Sequence, residues 1–185
     1  MNATAETDKM LAMGLAPDQM SRANDRRRRG FVEAQGGGAF LLARGDVAAR
    51  MGLPVYGVLG YAASFGDGIN RSIPAPGIGS LGAVLGGHHS PLAKALARHG
   101  LTADDIAVVS KHDTSTQAND PNESGIHQTI QDALGRTPGN PLLVVSQKTV
   151  LGHAKGGAAA WQTIGLCQML AAGRVPGNRN LDAVN

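Results

Sequence analysis

Two short apolar segments, each followed by a polar loop and a helical segment, constrain the fold of this chain more than any other feature. The first spans residues 106–109 and leads through the polar residues 110–123 into a helix predicted at about 122–134. The second, at 142–146, leads through a loop into an alanine-rich helix predicted at about 157–172. Short buried strands that alternate with helices predict an α/β fold, in which chemistry collects where strands end.

The rest of the 185-residue chain is consistent with a single domain spanning residues 1–185. Helices are predicted over 3–13 and from Ser90, a good N-cap residue, to Gly100. A short helix or turn is predicted at 45–52. A strand, or a pair of strands interrupted by Gly36–Gly38, is predicted over 31–43. A further strand is predicted over 55–65 and is apolar enough to be buried on both faces.

Two glycine-rich stretches interrupt these elements. Residues 66–87 are predicted to form a long structured loop, because apolar side chains recur through it, namely Ile73, Ile78, Leu81, Val84 and Leu85. Gly36–Gly38 is not followed by the Gly-Lys-Ser/Thr of a phosphate-binding loop. This stretch predicts a place where another backbone segment approaches closely.

Composition excludes several classes of protein. With 42% hydrophobic and 17% charged residues, the chain is globular rather than disordered. The basic run Arg26–Arg29 is isolated and has no interleaved aromatic residues, so it does not predict nucleic-acid binding. No apolar run approaches the roughly 20 residues of a membrane span, and the N-terminus does not resemble a signal peptide. The single cysteine, Cys167, cannot form an internal disulfide, which fits a reducing cytoplasm.

The polar loops that follow the two Val-Val-Ser strands carry the candidate site. Parallel strands in one sheet would bring His112, Lys148 and His153 together, with Glu123 near enough to pair with Lys148. Neutral imidazoles can donate hydrogen bonds to a developing oxyanion, and a lysine supports a nearby negative charge. Such a group suits acyl or carbanion chemistry at a thioester.

Thioester chemistry also requires a nucleophile, which is usually a cysteine. Cys167 is a poor candidate because it lies in the middle of a predicted helix among apolar neighbours, where it is expected to be structural. No Gly-x-Ser-x-Gly elbow is present either, which argues against a hydrolase. The hydroxyls of Thr114 and Thr116 could hydrogen-bond an amide-rich substrate arm.

The other histidines have simpler interpretations. His99 precedes Gly100 at a helix end and suits a partner of the helix dipole. His127 lies among polar neighbours on a helix and is expected at the surface. The pair His88–His89 lacks a third ligand at standard spacing, so no metal site is predicted.

Four motifs in order resemble those of β-ketoacyl synthases. Residues 112–124, HDTSTQANDPNES, resemble the family's H-G-T-x-T-x-x-x-D-x-x-E motif, and residues 146–161 resemble K-x-x-x-x-G-H-x-x-G-A-A. Residues 21–38 resemble R-P-F-D-x-x-R-x-G-F-V-x-x-x-G, and 175–182 resemble V-P-x-x-x-N-L-D. The residues within these motifs resemble those of the large type I fatty acid synthases most.

This resemblance implies a thiolase-like fold, a layered α/β/α structure built from two duplicated halves, of which this chain is the C-terminal half only. It implies decarboxylative Claisen condensation, in which malonyl carrier protein loses carbon dioxide and its carbanion attacks an acyl-cysteine thioester. His112 and His153 resemble the two catalytic histidines, Lys148 the active-site lysine, and Asp120 and Glu123 the motif's carboxylates.

The resemblance also implies partners. Thr114 and Thr116 resemble the threonines that bind phosphopantetheine, which arrives on an acyl carrier protein rather than as a bound cofactor. The expected partners are this carrier domain, the N-terminal half of the synthase that bears the cysteine, and further copies of the parent enzyme in a homo-oligomer.

One residue departs from the motif. Asp113 stands where the family has glycine, and aspartate tolerates unusual backbone dihedrals better than most residues. Because the cysteine-bearing segment is expected to precede Met1, the isolated chain is expected to be inactive alone. Two hypotheses remain open: a segment of a condensing enzyme, or a non-catalytic remnant or scaffold that binds carrier protein or a partner half.

Overall fold

A parallel pair of short strands organises the computed structural model, which describes residues 3–66 and 82–184. Strand β1 spans Val108–Ser110 and strand β2 spans Leu143–Val145. They pair in the register Val108 with Leu143 and Ser110 with Val145. The predicted parallel arrangement is therefore confirmed, and both polar loops leave the same edge of the sheet.

Helices follow both strands, as the α/β pattern predicted. The α-helices among the described residues are α1 (Ala3–Ala12), α2 (Gly45–Arg50), α3 (Pro91–Arg98), α4 (Asn119–Ala133), α5 (Lys148–Leu151) and α6 (Ala158–Ala172). Single 3-10 turns lie at Pro17–Gln19, Gly87–His89, Ala103–Asp105 and Lys155–Gly157. Helix α4 begins about one turn earlier than predicted, and the short helix α5 lies in what the sequence predicted to be a loop.

Local signals determine several helix ends. The Ser90 hydroxyl accepts a hydrogen bond from the Ala93 N–H at 3.2 Å, which caps α3, and Pro91 occupies its first position. Gly173 adopts a left-handed conformation with φ 62° directly after α6. Only glycine enters this region without strain from a Cβ atom, which explains why the helix ends there.

The predicted strands over 31–43 and 55–65 are wrong. In the first segment only an isolated parallel bridge between Glu33 and His153 forms, and the second has no regular secondary structure and no paired strand among the described residues. It is also not buried on both faces, since Val58 is 85% exposed. An apolar pattern predicts burial, but a strand forms only where another strand supplies hydrogen-bond partners.

The glycine stretch Gly36–Gly38 does pass close to another element, as predicted. A Cβ atom at Gly36 would collide with the Trp161 ring, and one at Gly157 would collide with the Gly36 carbonyl. The Trp161 indole N–H donates to the Gly37 carbonyl at 2.9 Å. Glycine therefore allows this segment to lie directly on the start of α6.

Two small clusters form the apolar core. Val84, Ala103 and Leu134 are buried together, and α3 and α4 pack against them. Met10, Leu15 and Met20 form the second cluster. Of the long loop predicted at 66–87, residues Ile73, Ile78 and Leu81 lie outside the described residues, whereas Val84 is buried and Leu85 is exposed.

Much apolar surface remains uncovered. Leu143 and Val144 of β2 are 49% and 36% exposed, so the prediction of a buried strand is wrong for all but its last residue, Val145. Strand β1 was also predicted to be buried, but it is only half-buried along its length. Large exposed apolar side chains cluster in the segment 40–65, namely Phe40, Leu41, Leu42, Met51, Val55, Tyr56, Val58, Leu59, Tyr61 and Phe65. Within residues 3–66 and 82–184, no helix is both long and apolar enough to cross a membrane.

We expect the isolated 185-residue chain to self-associate through this segment, because contiguous apolar patches above a few hundred Å² rarely stay in water. Val58→Asp with Leu59→Asp should shift the population toward monomer. Thr129→Asp, on the exposed face of α4, is the matched control. Sedimentation velocity measures the distribution, and a clean monomer with sharp cooperative unfolding would contradict the prediction.

Candidate active site

The parallel strand pair brings His112 and Lys148 into contact although 36 residues separate them. The Lys148 ammonium lies 3.2 Å from His112 Nδ1 and donates to the His112 carbonyl at 2.5 Å. A third contact runs to Gln162 Oε1 on α6 at 2.9 Å. Residues 111–118, which join β1 to α4 and carry His112, form the β1 loop or His112 loop. The lysine therefore faces the His112 ring, the backbone of this loop and helix α6.

His153 completes the group. Its ring lies 5.1 Å from the His112 ring, centroid to centroid, at an interplanar angle of 82°. Its backbone N–H donates to the Val32 carbonyl at 2.8 Å, and its carbonyl accepts from the Ala34 N–H at 3.1 Å. The predicted convergence of His112, Lys148 and His153 is therefore present in the structure.

The hydrogen bonds of the two rings fix where their protons lie. His153 Nδ1 accepts from the Lys155 backbone N–H at 3.0 Å, so the neutral ring carries its hydrogen on Nε2. His112 Nδ1 faces the Lys148 ammonium, which can only donate, so the same tautomer follows. Both rings therefore have an Nε2–H to offer.

Burial and positive charge keep both rings neutral. Partial burial, followed by the charge of Lys148, lowers the pKa of His112. Burial and then the charges of Lys148, His112 and Lys155 lower the pKa of His153 to about 4. Burial also lowers the pKa of Lys148, while nearby carboxylates, first of all Glu123, act in the opposite direction.

Glu123 holds the backbone of the β1 loop. Its two carboxylate oxygens accept hydrogen bonds from the N–H groups of His112 at 2.6 Å and Asp113 at 2.7 Å. Burial alone would raise its pKa, but His127 and these two backbone donors lower it to about 2. The expected direct pairing with Lys148 is replaced by these contacts, because the backbone donors occupy the carboxylate.

Asp120 has a similar supporting position. It is fully buried and accepts from the backbone N–H groups of Thr114 at 2.9 Å and Asn24 at 3.0 Å. Arg28 lies 3.7 Å away, yet burial dominates and raises the pKa of this carboxyl. Asp120 thus joins the β1 loop to the N-terminal segment rather than facing the histidines.

Thr114 and Thr116 lie side by side. Their hydroxyl oxygens are 2.9 Å apart, and Thr116 Oγ1 also accepts from the Asn119 N–H at the start of α4. Thr114 is 9% exposed, whereas Thr116 is half-buried. The pair is ordered on the same loop as His112.

The structure adds residues that the sequence did not single out. Gln162 donates to the Lys111 carbonyl at 2.6 Å and to the Ser110 hydroxyl at 2.9 Å while accepting from Lys148. The signal in the sequence that could have indicated Gln162 is a long polar side chain in an otherwise alanine-rich helix. His127 was expected at the surface but lies 3.8 Å from a Glu123 oxygen and is only 24% exposed.

Cys167 lies outside this group. Cys167 is a free cysteine, half-buried on α6, and its thiol faces the segment near Gly57. Within the part of the chain that the structure describes, no cluster of three or more His, Cys, Asp or Glu side chains could hold a metal ion.

Comparison with known proteins agrees with the motifs. The fatty acid synthase alpha subunit stcJ of Emericella nidulans is 49% identical over the whole chain, and fatty acid synthase 2 of Mycosarcoma maydis is 44% identical. The fatty acid synthase subunit alpha of Saccharomyces cerevisiae is 32% identical. The chain spans only 12%, 5% and 14% of these three proteins.

The fold is that of ketosynthases. A chain from the solved complex of a type II PKS acyl-carrier protein with its ketosynthase superposes with a TM-score of 0.72 at 22% identity. The match covers 97% of this chain and 43% of that one, and it shows a thiolase-like fold. Residues 56–182 match the family described as "Beta-ketoacyl synthase, C-terminal domain". The chain is therefore a member of the β-ketoacyl synthase family and corresponds to its C-terminal domain.

Proposed function

We propose that this chain supplies the histidine-bearing part of a β-ketoacyl synthase that condenses malonyl carrier protein with an acyl thioester in fatty acid synthesis. The observation that carries the proposal is the pair of neutral rings of His112 and His153, 5.1 Å apart and next to Lys148. The fungal fatty acid synthase relatives support the reaction class.

The two rings suit the decarboxylation step. When the C–C bond to the malonyl carboxylate breaks, carbon dioxide leaves. The electron pair of this bond stays on the remaining thioester and forms an enolate, whose negative charge lies on the thioester oxygen. The Nε2–H groups of His112 and His153 would donate to this oxygen, and donors already oriented in the ground state stabilise developing charge most effectively. Neutral rings serve here without transferring a proton.

Lys148 supports the same step through its position. Its ammonium fixes the tautomer of His112 and adds positive charge behind the ring. It also donates to the His112 carbonyl, so the residue is held by its ring and its backbone together.

The condensation step requires a group from another part of the synthase. A cysteine thiolate would carry the acyl chain as a thioester, the enolate carbon would attack the acyl carbonyl, and the C–S bond would break to release the thiolate. Cys167 is unsuited to this role because it lies on α6 facing Gly57.

Thr114 and Thr116 would bind the substrate arm. Their adjacent hydroxyls lie on the loop of His112 and can hydrogen-bond the amides of phosphopantetheine, which the carrier protein delivers. The structural neighbour comes from a carrier protein–ketosynthase complex, which is consistent with such a partner. The uncovered segment 40–65 is where we place the contact with the cysteine-bearing half.

Malonyl thioester decarboxylation tests the proposal directly. We expect no activity from the chain alone and activity when it is mixed with a cysteine-bearing N-terminal half from a relative. If the two halves associate and remain inactive, a scaffold would be the better interpretation.

In the complete synthase, His112→Ala and His153→Ala should each lower decarboxylation by about 100-fold or more, because each removes one donor to the enolate oxygen. His89→Ala, on the 3-10 turn before α3, is the matched control and should retain activity. Retained activity in either site variant would contradict the assignment.

The pH dependence of decarboxylation should report the charge of Lys148. Because the pKa values of His112 and His153 are both lowered, the rings stay neutral and the rate stays high at pH values where an ordinary histidine would begin to be protonated. Lys148→Met removes a cause of both shifts, so both pKa values rise and the acid limb of kcat moves to higher pH.

The readout is the position of this limb, since the variant also lowers the height of the profile. Lys94→Met, on the exposed side of α3, should leave the limb unchanged. A Lys148→Met limb that coincides with that of the parent enzyme would refute the electrostatic argument.

A further inference from the structure

The residues on either side of His112 form a buried ion pair. Lys111 Nζ lies 2.7 Å from Asp113 Oδ1, and the two side chains are 2% and 0% exposed. Of these three neighbouring side chains, only that of His112 remains accessible to solvent. The side chains of Lys111 and Asp113 are therefore buried in the protein, while the ring between them faces Lys148 and His153.

Asp113 has a backbone conformation that normally favours glycine. Its φ is +25°, within the region where a Cβ atom is strained. The carboxylate offsets this strain through its contacts, accepting from Asn24 Nδ2 at 2.8 Å and from the Ser146 hydroxyl in addition to pairing with Lys111. One carboxylate thus links the β1 loop, the N-terminal segment and the end of β2.

Lys111 makes the complementary connections. Its ammonium donates to the Ser124 hydroxyl on α4 at 2.8 Å and to Asn24 Oδ1 at 3.4 Å. Its backbone carbonyl accepts from Gln162 on α6. Lys111 therefore joins the His112 loop to α4 through its ammonium and to α6 through its backbone carbonyl.

We propose that Lys111 and Asp113 are positioning residues for His112, and that their ion pair holds the left-handed turn that presents its ring. The inference rests on the proposed function, in which His112 donates to the enolate oxygen. Both side chains are almost fully buried, so their effect on the rate passes through His112.

A buried pair of this kind has a distinct energetic signature. Removing one partner leaves a buried charge without compensation, which costs more than removing both. Replacing Asp113 with glycine also restores the residue that the φ of +25° favours. Single substitutions should therefore harm the loop more than the matched double substitution, a strongly non-additive result.

The test uses three variants of the complete synthase: Lys111→Met, Asp113→Gly and the double variant. Size-exclusion chromatography measures how much of each enzyme is assembled, and the assays compare equal amounts of assembled enzyme. For malonyl thioester decarboxylation, we expect each single variant to lose about 10-fold or more in kcat with KM within about 2-fold. The double variant should return to within about 3-fold of the parent. Lys94→Met is the control for loss of a lysine elsewhere.

Asp113→Asn covers the case in which a single variant fails to assemble. It keeps the side-chain volume and removes the charge, so kcat should fall several-fold and recover when Lys111→Met is added. Losses that multiply in the double variants, unchanged kcat in every Asp113 variant, or an effect on KM alone would each overturn the inference.

His112→Ala in the same assay distinguishes a failure of the proposed function from a failure of the positioning role. If His112→Ala retains decarboxylation, the proposed function itself fails. If His112→Ala loses it while the Lys111 and Asp113 variants keep it, the function stands and only the positioning role is wrong.

Discussion

The parallel pairing of β1 with β2 is the contact on which the rest of the site depends. Three residue pairs align the two strands, and this register brings the His112 loop and helix α5 to one edge. No local interaction could join residues 36 positions apart. Once the edge exists, Lys148 reaches the ring and carbonyl of His112, and Gln162 of α6 closes the group from the other side. The chemistry therefore follows from a sheet only two strands wide within the described residues.

The negatively and positively charged side chains around this edge lie in different places and have different roles. The carboxylates of Glu123, Asp120 and Asp113 lie behind the loop and accept from backbone or side-chain donors. The ammonium of Lys148 lies beside the rings instead. Negative charge next to the imidazoles would favour their protonation, whereas the ammonium opposes it. This arrangement keeps two neutral donors in place, although three carboxylates lie close behind the loop that carries His112.

Local patterns in the sequence predicted most of the helices and the convergence of the site, but they also predicted strands over 31–43 and 55–65 that do not form. Ser90 and Gly173 act within a few residues, so their effect on α3 and α6 is visible in the sequence. The segment 55–65 has the apolar composition of a buried strand, yet composition does not reveal whether a partner strand is adjacent. The role of Glu123 was predicted only in part, because its acceptance of backbone N–H groups depends on how α4 meets the loop.

The two histidines are held in place by different kinds of contact. This difference explains why the residues that hold His112 can be recognised in the sequence more easily than those that hold His153. His112 is fixed through side chains, namely those of Glu123, Lys148 and the Lys111–Asp113 pair. These contacts require particular residue types, so they can be recognised in the sequence. His153 is fixed mainly by backbone pairing with Val32 and Ala34 and by the Lys155 N–H. Backbone bonds can be made by almost any residue, so this support leaves little trace beyond Gly152, whose φ of 69° turns the chain toward the ring. A substitution near His153 therefore acts mainly through the path of the main chain, whereas one near His112 acts through charge and hydrogen bonding.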